Sequence, residues 1–382
     1  MTHYDWIVVG GGITGAALGY ELAQKGFQVL LLEKNVQPDN ATLYSYGGLA
    51  YWSGTTALSR QLCAEGIELH RQLSAELEAD TEFRELELLL TINTEDDPQA
   101  VANSYEQFAI PPRLLNIKEA CELEPLLNPK AIAGALHLPH GHINAHKTTA
   151  AYLQAFERAG GEFKIEPVVE LLHQRQSVQG VRTPSQSYCA ANTAICAGGL
   201  SRSLLKAAGI DVPVYFTHEQ VIMTPPAAIE LRTLVMPAVL QRFALEEQAS
   251  SQSEWDAASR ELVPPILDPG AIQFVDGTFC LGQISQALSD PHAAIDAAAC
   301  EEKIRTGIAT ILPSLSNLPG TLQSCLVAFA PRSRPLVGAI ANFSGVHLFS
   351  GFTSTLVFAP PLARHFAHWA AGEDVGLIDF QV

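Results

Sequence analysis

The stretch WIVVGGGITGAALGYELAQKGFQVLLLE, residues 6–33, decides the fold. Trp6-Ile7-Val8-Val9 is a short, continuous apolar run, the pattern of a strand covered on both faces. It runs straight into Gly10-Gly11-Gly12-Ile13-Thr14-Gly15. Ala16, Ala17, Leu18, Leu22 and Ala23 then recur at helical spacing until Gly26 can stop them. A second apolar run, Val29-Leu30-Leu31-Leu32, ends in Glu33. Gly10 permits a tight turn, Gly12 lets backbone approach a pyrophosphate, and Gly15 lets the helix pack closely on the strand. The helix N-terminus, opening with Ile13 and Thr14, offers N–H groups and partial positive charge to phosphates. Glu33 follows Gly15 by 18 residues, where a carboxylate accepts hydrogen bonds from an adenosine ribose. Its charge opposes a 2′-phosphate, so NADP is disfavoured, and Lys34 is counted with it on the nucleotide. Glycines alone are weak evidence; with both strands, the helix and the acid in register they predict dinucleotide binding. The bland alternative is a flexible loop in an unrelated α/β unit.

At 382 residues the chain can hold two domains with sizeable cores. Hydrophobic content of 47% with 16% charged residues is that of an ordinary globular protein. No apolar run approaches the ~20 residues that span a bilayer. Asp5 and glycines stand where a signal peptide would need a basic start and a long apolar core, so the cytoplasm is the expectation. The net charge of −17, from 23 basic and 40 acidic residues, argues against nucleic acid and anionic membrane as partners. Seven cysteines without a CxxC pair suggest neither a disulfide framework nor a zinc site. His137, His140, His142 and His146 crowd one region, but no acid or cysteine accompanies them at ligand spacing, so metal is disfavoured. A turn at Gly141 leading into a helix over 146–159, closed by Gly160-Gly161, reads better.

Tyr44-Ser45-Tyr46-Gly47-Gly48-Leu49-Ala50-Tyr51-Trp52 sets glycines among aromatics. Either this backbone lies against a flat ligand, or it is a Gly-rich turn with core aromatics. Leu58, Leu62, Leu69, Leu73 and Leu77 mark a long amphipathic helix. Residues 85–139, broken by Pro98, Pro111-Pro112, Pro125 and Pro129, read as an inserted piece. Thr193-Ala194-Ile195-Cys196-Ala197 is a buried strand ending at Gly198-Gly199, a second strand–glycine–helix junction at the carboxyl edge where cofactors bind. Strands over 215–224, 271–274 and 278–282 suggest a second, antiparallel-rich domain, with polar residues 246–261 as a mobile excursion. Val346-His347-Leu348-Phe349-Ser350 is a strand, and Gly351-Phe352-Thr353-Ser354 turns into a last helix that Thr353 or Ser354 can cap.

Together these pieces resemble the D-amino-acid oxidase superfamily of FAD enzymes, which includes glycine oxidase, sarcosine oxidase and D-amino-acid dehydrogenases. Gly141-His142-Ile143-Asn144 looks like the family's Gly-x-Val-Asp segment. Cys196-Ala197-Gly198-Gly199-Leu200-Ser201 is similar to its Ala-Ala-Gly-x-Trp-Ser, and Glu219-Gln220-Val221 to its Gly-Gln-Val. Asp276-Gly277, Pro335-Leu336-Val337-Gly338 and Ser350-Gly351 resemble its hairpin and C-terminal segments. The resemblance implies an α/β, Rossmann-like FAD-binding domain (1–84, 145–212, 326–382). It implies a second, antiparallel-sheet α+β substrate domain (85–144, 213–325). It implies FAD rather than NAD, held by Gly10, Gly12, Gly15 and Glu33 on the ADP side and by Val168 through its backbone. Gly47, Gly48, Leu49, Ala197, Gly198, Gly351, Phe352 and Thr353 would lie near the flavin.

Two departures matter. The family's Gly-Leu-Arg-Pro stretch, whose arginine pairs with a substrate carboxylate, reads Ala328-Phe329-Ala330-Pro331 here. Ala271 falls where a substrate-binding tyrosine often stands. Arg332 and Arg334 just beyond could supply a carboxylate fork or simply face solvent, and Tyr51 is a further substrate-side candidate. Cys325 lies near a cysteine that sarcosine-oxidase-like members join to flavin, although an inert core thiol is the stronger reading. The expectation is an oxidoreductase that takes hydride from a small amine or amino acid to flavin N5 and leaves an imine that hydrolyses. Oxygen or another acceptor would reoxidise the flavin. The rivals are a 2-hydroxy-acid dehydrogenase of the same fold and a flavin-bearing protein without catalysis.

Overall fold

The computed structural model describes residues 3–376 and 378–382. Its first unit is β1 (His3–Val9), α1 (Ile13–Gln24) and β2 (Val29–Glu33). The two strands pair in parallel, Trp6 with Val29 through Val9 with Leu32. After α1, Gly26 turns the chain at φ +83°, a conformation that a Cβ would oppose. On the other side β1 pairs in parallel with Ser187–Ile195, which pairs with Val346–Ser350. The order across this sheet is Leu336–Ala339, Val346–Ser350, Ser187–Ile195, β1, β2, Glu162–Ile165.

The apolar runs of β1 and β2 are continuous because both faces are covered. Trp6, Val8, Val29 and Leu31 pack beneath α1 and the helices Ala57–Glu76, Ala145–Arg158 and Thr355–Ala370. Ile7, Val9, Leu30 and Leu32 face the opposite way, onto Leu171, Val181 and Leu205. All eight of these strand residues are buried, at 5% exposure or less, and each buried side chain contributes about 1.5–3 kcal/mol.

The second sheet has nine strands and is mainly antiparallel. Toward one edge Tyr215–Met223 lies between Phe279–Leu288 and the edge strand Thr321–Phe329. One face is closed by the helix Ala297–Ile311, whose Ile304 and Ile308 are fully buried against Ile222, Leu281 and Ile284. The other face looks toward Tyr44 and Tyr46. The two-residue strand Gly48–Leu49 joins this sheet, pairing with His142 and Gly141.

Three expectations need correction. Residues 246–261 form no loose excursion: they lie across the helix Gln241–Ser250 and a short turn at Ser253–Asp256. Leu245, Ala249 and Trp255 are buried there against Phe216 and Phe329, so a polar sequence is anchored by three apolar contacts. The strand expected at Ala271 begins ten residues earlier, at Glu261. Pro264, Pro265 and Pro269 hid it, because proline interrupts pairing, and the register with Phe279–Leu288 shifts at each of these places. Finally, Thr321–Phe329 pairs with Tyr215–Met223 along its whole length, so a domain border at 325/326 would cut a strand. We propose that the border lies after Phe329.

Candidate functional site

Four parallel strands end side by side, and their carboxyl ends line one groove. It is bounded by Val9-Gly10, Leu32-Glu33, Cys196-Ala197 and Ser350-Gly351, and encloses about 1220 Å³ counted to its open mouth. This edge is where parallel sheets bind cofactors. At the first junction Gly10 has φ +110°, and a Cβ there would stand 2.5 Å from the Cys196 carbonyl oxygen. A Cβ on Gly15 would stand 1.8 Å from the Gly10 oxygen. Both glycines therefore serve the packing of the turn. Gly12 differs: within 4 Å a Cβ would meet Thr42 Oγ1 alone, at 3.2 Å.

Glu33 is clamped. Its Oε2 accepts from the Gly11 N–H at 2.7 Å and its Oε1 from the Asn35 N–H at 3.0 Å. The Ile13 N–H donates to the Thr42 hydroxyl at 3.2 Å, tying the start of α1 to the loop after β2. Asp39, Asn40 and Thr42 line the groove from that loop. Toward the far end, Gly198 has φ +54° with open space around it. The buried Ser350 hydroxyl on the groove wall has no hydrogen-bond partner. The helix Thr355–Ala370 starts at the wall with no acid in its first turn, so its positive end favours negative charge there.

Of the anticipated residues, Gly10, Gly12, Ile13, Thr14, Glu33, Lys34, Val168, Ala197, Gly198, Gly351 and Phe352 line this groove. Gly15 lies one layer behind. Others are elsewhere. Gly47 has φ +72°, and its missing Cβ makes room for the Ile143 carbonyl at 2.0 Å. Gly48 similarly makes room for His140 Nε2 at 2.7 Å. These glycines are required by protein packing, and Leu49 beside them is fully buried core. Tyr51 packs against the same core. The expected capping of the last helix does not occur: Ser354 precedes it without a side-chain cap bond, and the Thr353 hydroxyl is buried and unpartnered. Arg332 and Arg334 are exposed, and the Arg332 N–H is spent on Glu247 at 3.1 Å. Ala330, 2% exposed, packs 2.9 Å from where a Gly351 Cβ would be. Burial pushes the Cys325 thiol up, which makes it a poor nucleophile in this setting.

Sequence reasoning missed the Asp39–Thr42 wall and residues Leu326, Val327 and Ala328, which close the groove from the second sheet. The first sits in a short polar connection; the second is a strand whose wall role arises only from tertiary docking. The groove fits an FAD molecule. A clamped carboxylate stands at one end, a glycine turn and helix start in the middle, and an unpartnered hydroxyl with a second helix start at the other end.

A family described as FAD dependent oxidoreductase matches residues 5–369. The 4-methylaminobutanoate oxidase (formaldehyde-forming) of Paenarthrobacter nicotinovorans is 27% identical over 394 residues, covering 100% of this chain and 46% of that protein. Glycine oxidase of Geobacillus kaustophilus is 28% identical over 246 residues, covering 62% of this chain and 65% of that one. The chain thus spans about half the length of the first relative. The crystal structure of the Geobacillus glycine oxidase shares the fold, with a TM-score of 0.81 at 20% identity over 99% of this chain and 97% of that chain. So does L-α-glycerophosphate oxidase from Mycoplasma pneumoniae with FAD bound, at 0.77 and 15%, over 100% and 99%. With the family matched over nearly its whole length, and a groove at the carboxyl edge that fits the cofactor, the chain belongs to the FAD-dependent oxidoreductases of the D-amino-acid oxidase type.

Proposed function

We propose that the chain oxidises a small amine or amino acid at the carbon bearing nitrogen. The observation that carries this reading is the course of the groove. It runs from Glu33 to Gly351 and is closed by Leu326, Val327 and Ala328 of the second sheet, which supports a substrate entering from that side. The groove residues would hold FAD, which would supply a two-electron acceptor for the hydride leaving the substrate carbon.

The chain's own residues bind and orient. Glu33, held by Gly11 and Asn35, presents remaining lone pairs to a ribose. The start of α1 faces the phosphates. The positive end of the helix Thr355–Ala370 favours negative charge at the far end of the groove, which lowers the cost of receiving hydride. Apolar walls from Leu326 and Val327 exclude water from the reacting carbon. Loss of hydride and one N–H proton leaves an imine, and water then yields a carbonyl compound and free amine. The names of 4-methylaminobutanoate oxidase, glycine oxidase and dimethylglycine dehydrogenase, the last 28% identical over 231 residues in Rattus norvegicus, support a nitrogen-bearing substrate.

The test is turnover of the FAD-loaded protein with glycine, sarcosine, methylated amines, D- and L-amino acids and 2-hydroxy acids. Runs under air and with an artificial acceptor distinguish oxidase from dehydrogenase. The expected result is equimolar carbonyl product and released amine from one nitrogen-bearing group. Carbonyl product from 2-hydroxy acids alone would overturn the reading. No helix among the described residues is long and apolar enough to cross a membrane.

A further inference from the structure

One buried polar cluster lies outside the groove, on the face of the second sheet that looks toward Tyr46. Glu219 accepts hydrogen bonds from the Thr217 and Ser285 hydroxyls, each at 2.6 Å. The helix Gln241–Ser250 lies over this sheet and brings Arg242, whose Nε donates to Glu246 Oε1 at 2.9 Å. Asp268 accepts from the Gln241 amide at 2.6 Å. Burial alone would lower the Arg242 pKa. Glu246, Glu219 and Asp268 more than offset this and hold the guanidinium above its ordinary value. Burial pushes the Glu246 and Asp268 carboxyls up.

Arg242 is paired with Glu246, the charges of Glu219 and Asp268 act on the pair, and one carboxylate oxygen is left over. Glu246 is 3% exposed, and its Oε2 has no hydrogen-bond partner. The Tyr46 hydroxyl is likewise buried and unpartnered, and Asp268 and Glu219 help burial to raise it. Such orphans inside a protein are costly unless something fills the need. The cluster is not sealed, since Arg242 keeps 30% of its side chain exposed.

It also adjoins the groove. Cys325 stands opposite Glu219 across the strand pair and directly precedes the groove-lining Leu326. Its thiol feels Glu219 and Arg242 from the cluster and Asp39 from the groove wall. Meanwhile the two positions where the resemblance would put carboxylate ligands hold buried alanines, Ala271 and Ala330.

We propose that this cluster binds an ammonium group of the substrate, and that the preferred substrate is a small alkylamine or diamine without a carboxylate. The proposal rests on the amine reading above. An entering cation completes the Glu246 Oε2 acceptor and offsets the surplus of acids. An entering carboxylate meets three acids against one arginine, already committed to Glu246.

The test is anaerobic titration of the FAD-loaded protein with matched pairs: 1,4-diaminobutane against 4-aminobutanoate, and N-methylpropylamine against 4-methylaminobutanoate. Binding is read as a shift of the flavin band and reduction as its bleaching. The expected result is amine binding at least about tenfold tighter than the carboxylate partner. Glu246→Gln should weaken the amine about ten- to hundredfold while FAD content stays unchanged. Glu219→Gln is the second variant, should the first fail to fold. Tighter binding of the carboxylate member, weakened by Arg242→Gln, would overturn the inference and leave the amine-oxidation reading standing. No shift or bleaching by any of the four compounds, with FAD present, would overturn this inference, and the amine-oxidation reading falls with it only if the wider panel of nitrogen compounds also fails to bleach the flavin. The unmodified protein decides between these outcomes without any variant.

Discussion

At the scale of single residues, Glu33 was legible and its clamp was not. The end of an apolar run marks its place, but only the folded turn shows Gly11 and Asn35 donating to separate oxygens. Glu33→Ala should weaken FAD binding by about ten- to hundredfold, measured by titrating apoprotein with FAD. The glycines separate into two kinds for the same reason. Gly15→Ala puts a Cβ 1.8 Å from a carbonyl and should abolish soluble flavin-bearing protein. Gly12→Ala meets just the Thr42 hydroxyl, at 3.2 Å, and should leave the circular dichroism spectrum unchanged while lowering flavin content. A glycine pair such as Gly47-Gly48 reads alike in sequence whether it makes room for a ligand or for the Ile143 carbonyl and a histidine ring. Nothing local tells the two apart. The Arg242 cluster was invisible for a related reason: its acids come from three distant elements and meet across the sheet.

At the scale of elements, the runs that read correctly are those whose environment is uniform. β1 and β2 are covered on both faces, so their apolar runs have no competing pattern. The helix Ala57–Glu76 was legible from its leucines, and it starts with a reciprocal cap in which Thr56 and Ser59 bond each other's backbone N–H. Thr56→Ala should cost about 1 kcal/mol in urea unfolding, whereas Thr56→Asn should cost little. The strand Glu261–Gln273 was half hidden by prolines that interrupt pairing without ending the strand. The helix Gln241–Ser250 was missed because its apolar residues do not fall on one face: Phe243 and Ala244 are exposed, and Leu245 and Ala249, one turn apart, are the apolar side chains it buries.

At the scale of the whole molecule, two sheets meet along one groove, and several buried histidines, three in strands and one on the helix Ala57–Glu76, stay neutral. Burial pushes His70 and His347 down to about 4 and His140 and His142 down to about 3. Unfolding frees these rings to take a proton near pH 6.5. Below that pH the unfolded chain binds more protons, so stability falls as pH drops from about 6.5 toward 4. Each histidine approaches about 1.4 kcal/mol per pH unit in that window. Glu246 and Asp268, raised by burial, oppose this trend but are outnumbered. Urea midpoints at pH 7.5 and pH 5 should differ clearly, with the lower at pH 5. Removing His70 (His70→Asn) should flatten the slope.

The architecture was largely legible because its first strand–turn–helix–strand unit is local. The wall that faces the redox end was not, because it is assembled by docking one sheet against the other. The most direct measurement of the proposed activity is therefore one that needs both. Purified protein, made anaerobic, is mixed with nitrogen-bearing metabolites while the visible flavin band is followed. The account predicts full bleaching by one group of amines or amino acids and none by 2-hydroxy acids. A band that dithionite bleaches but no nitrogen compound does would contradict it.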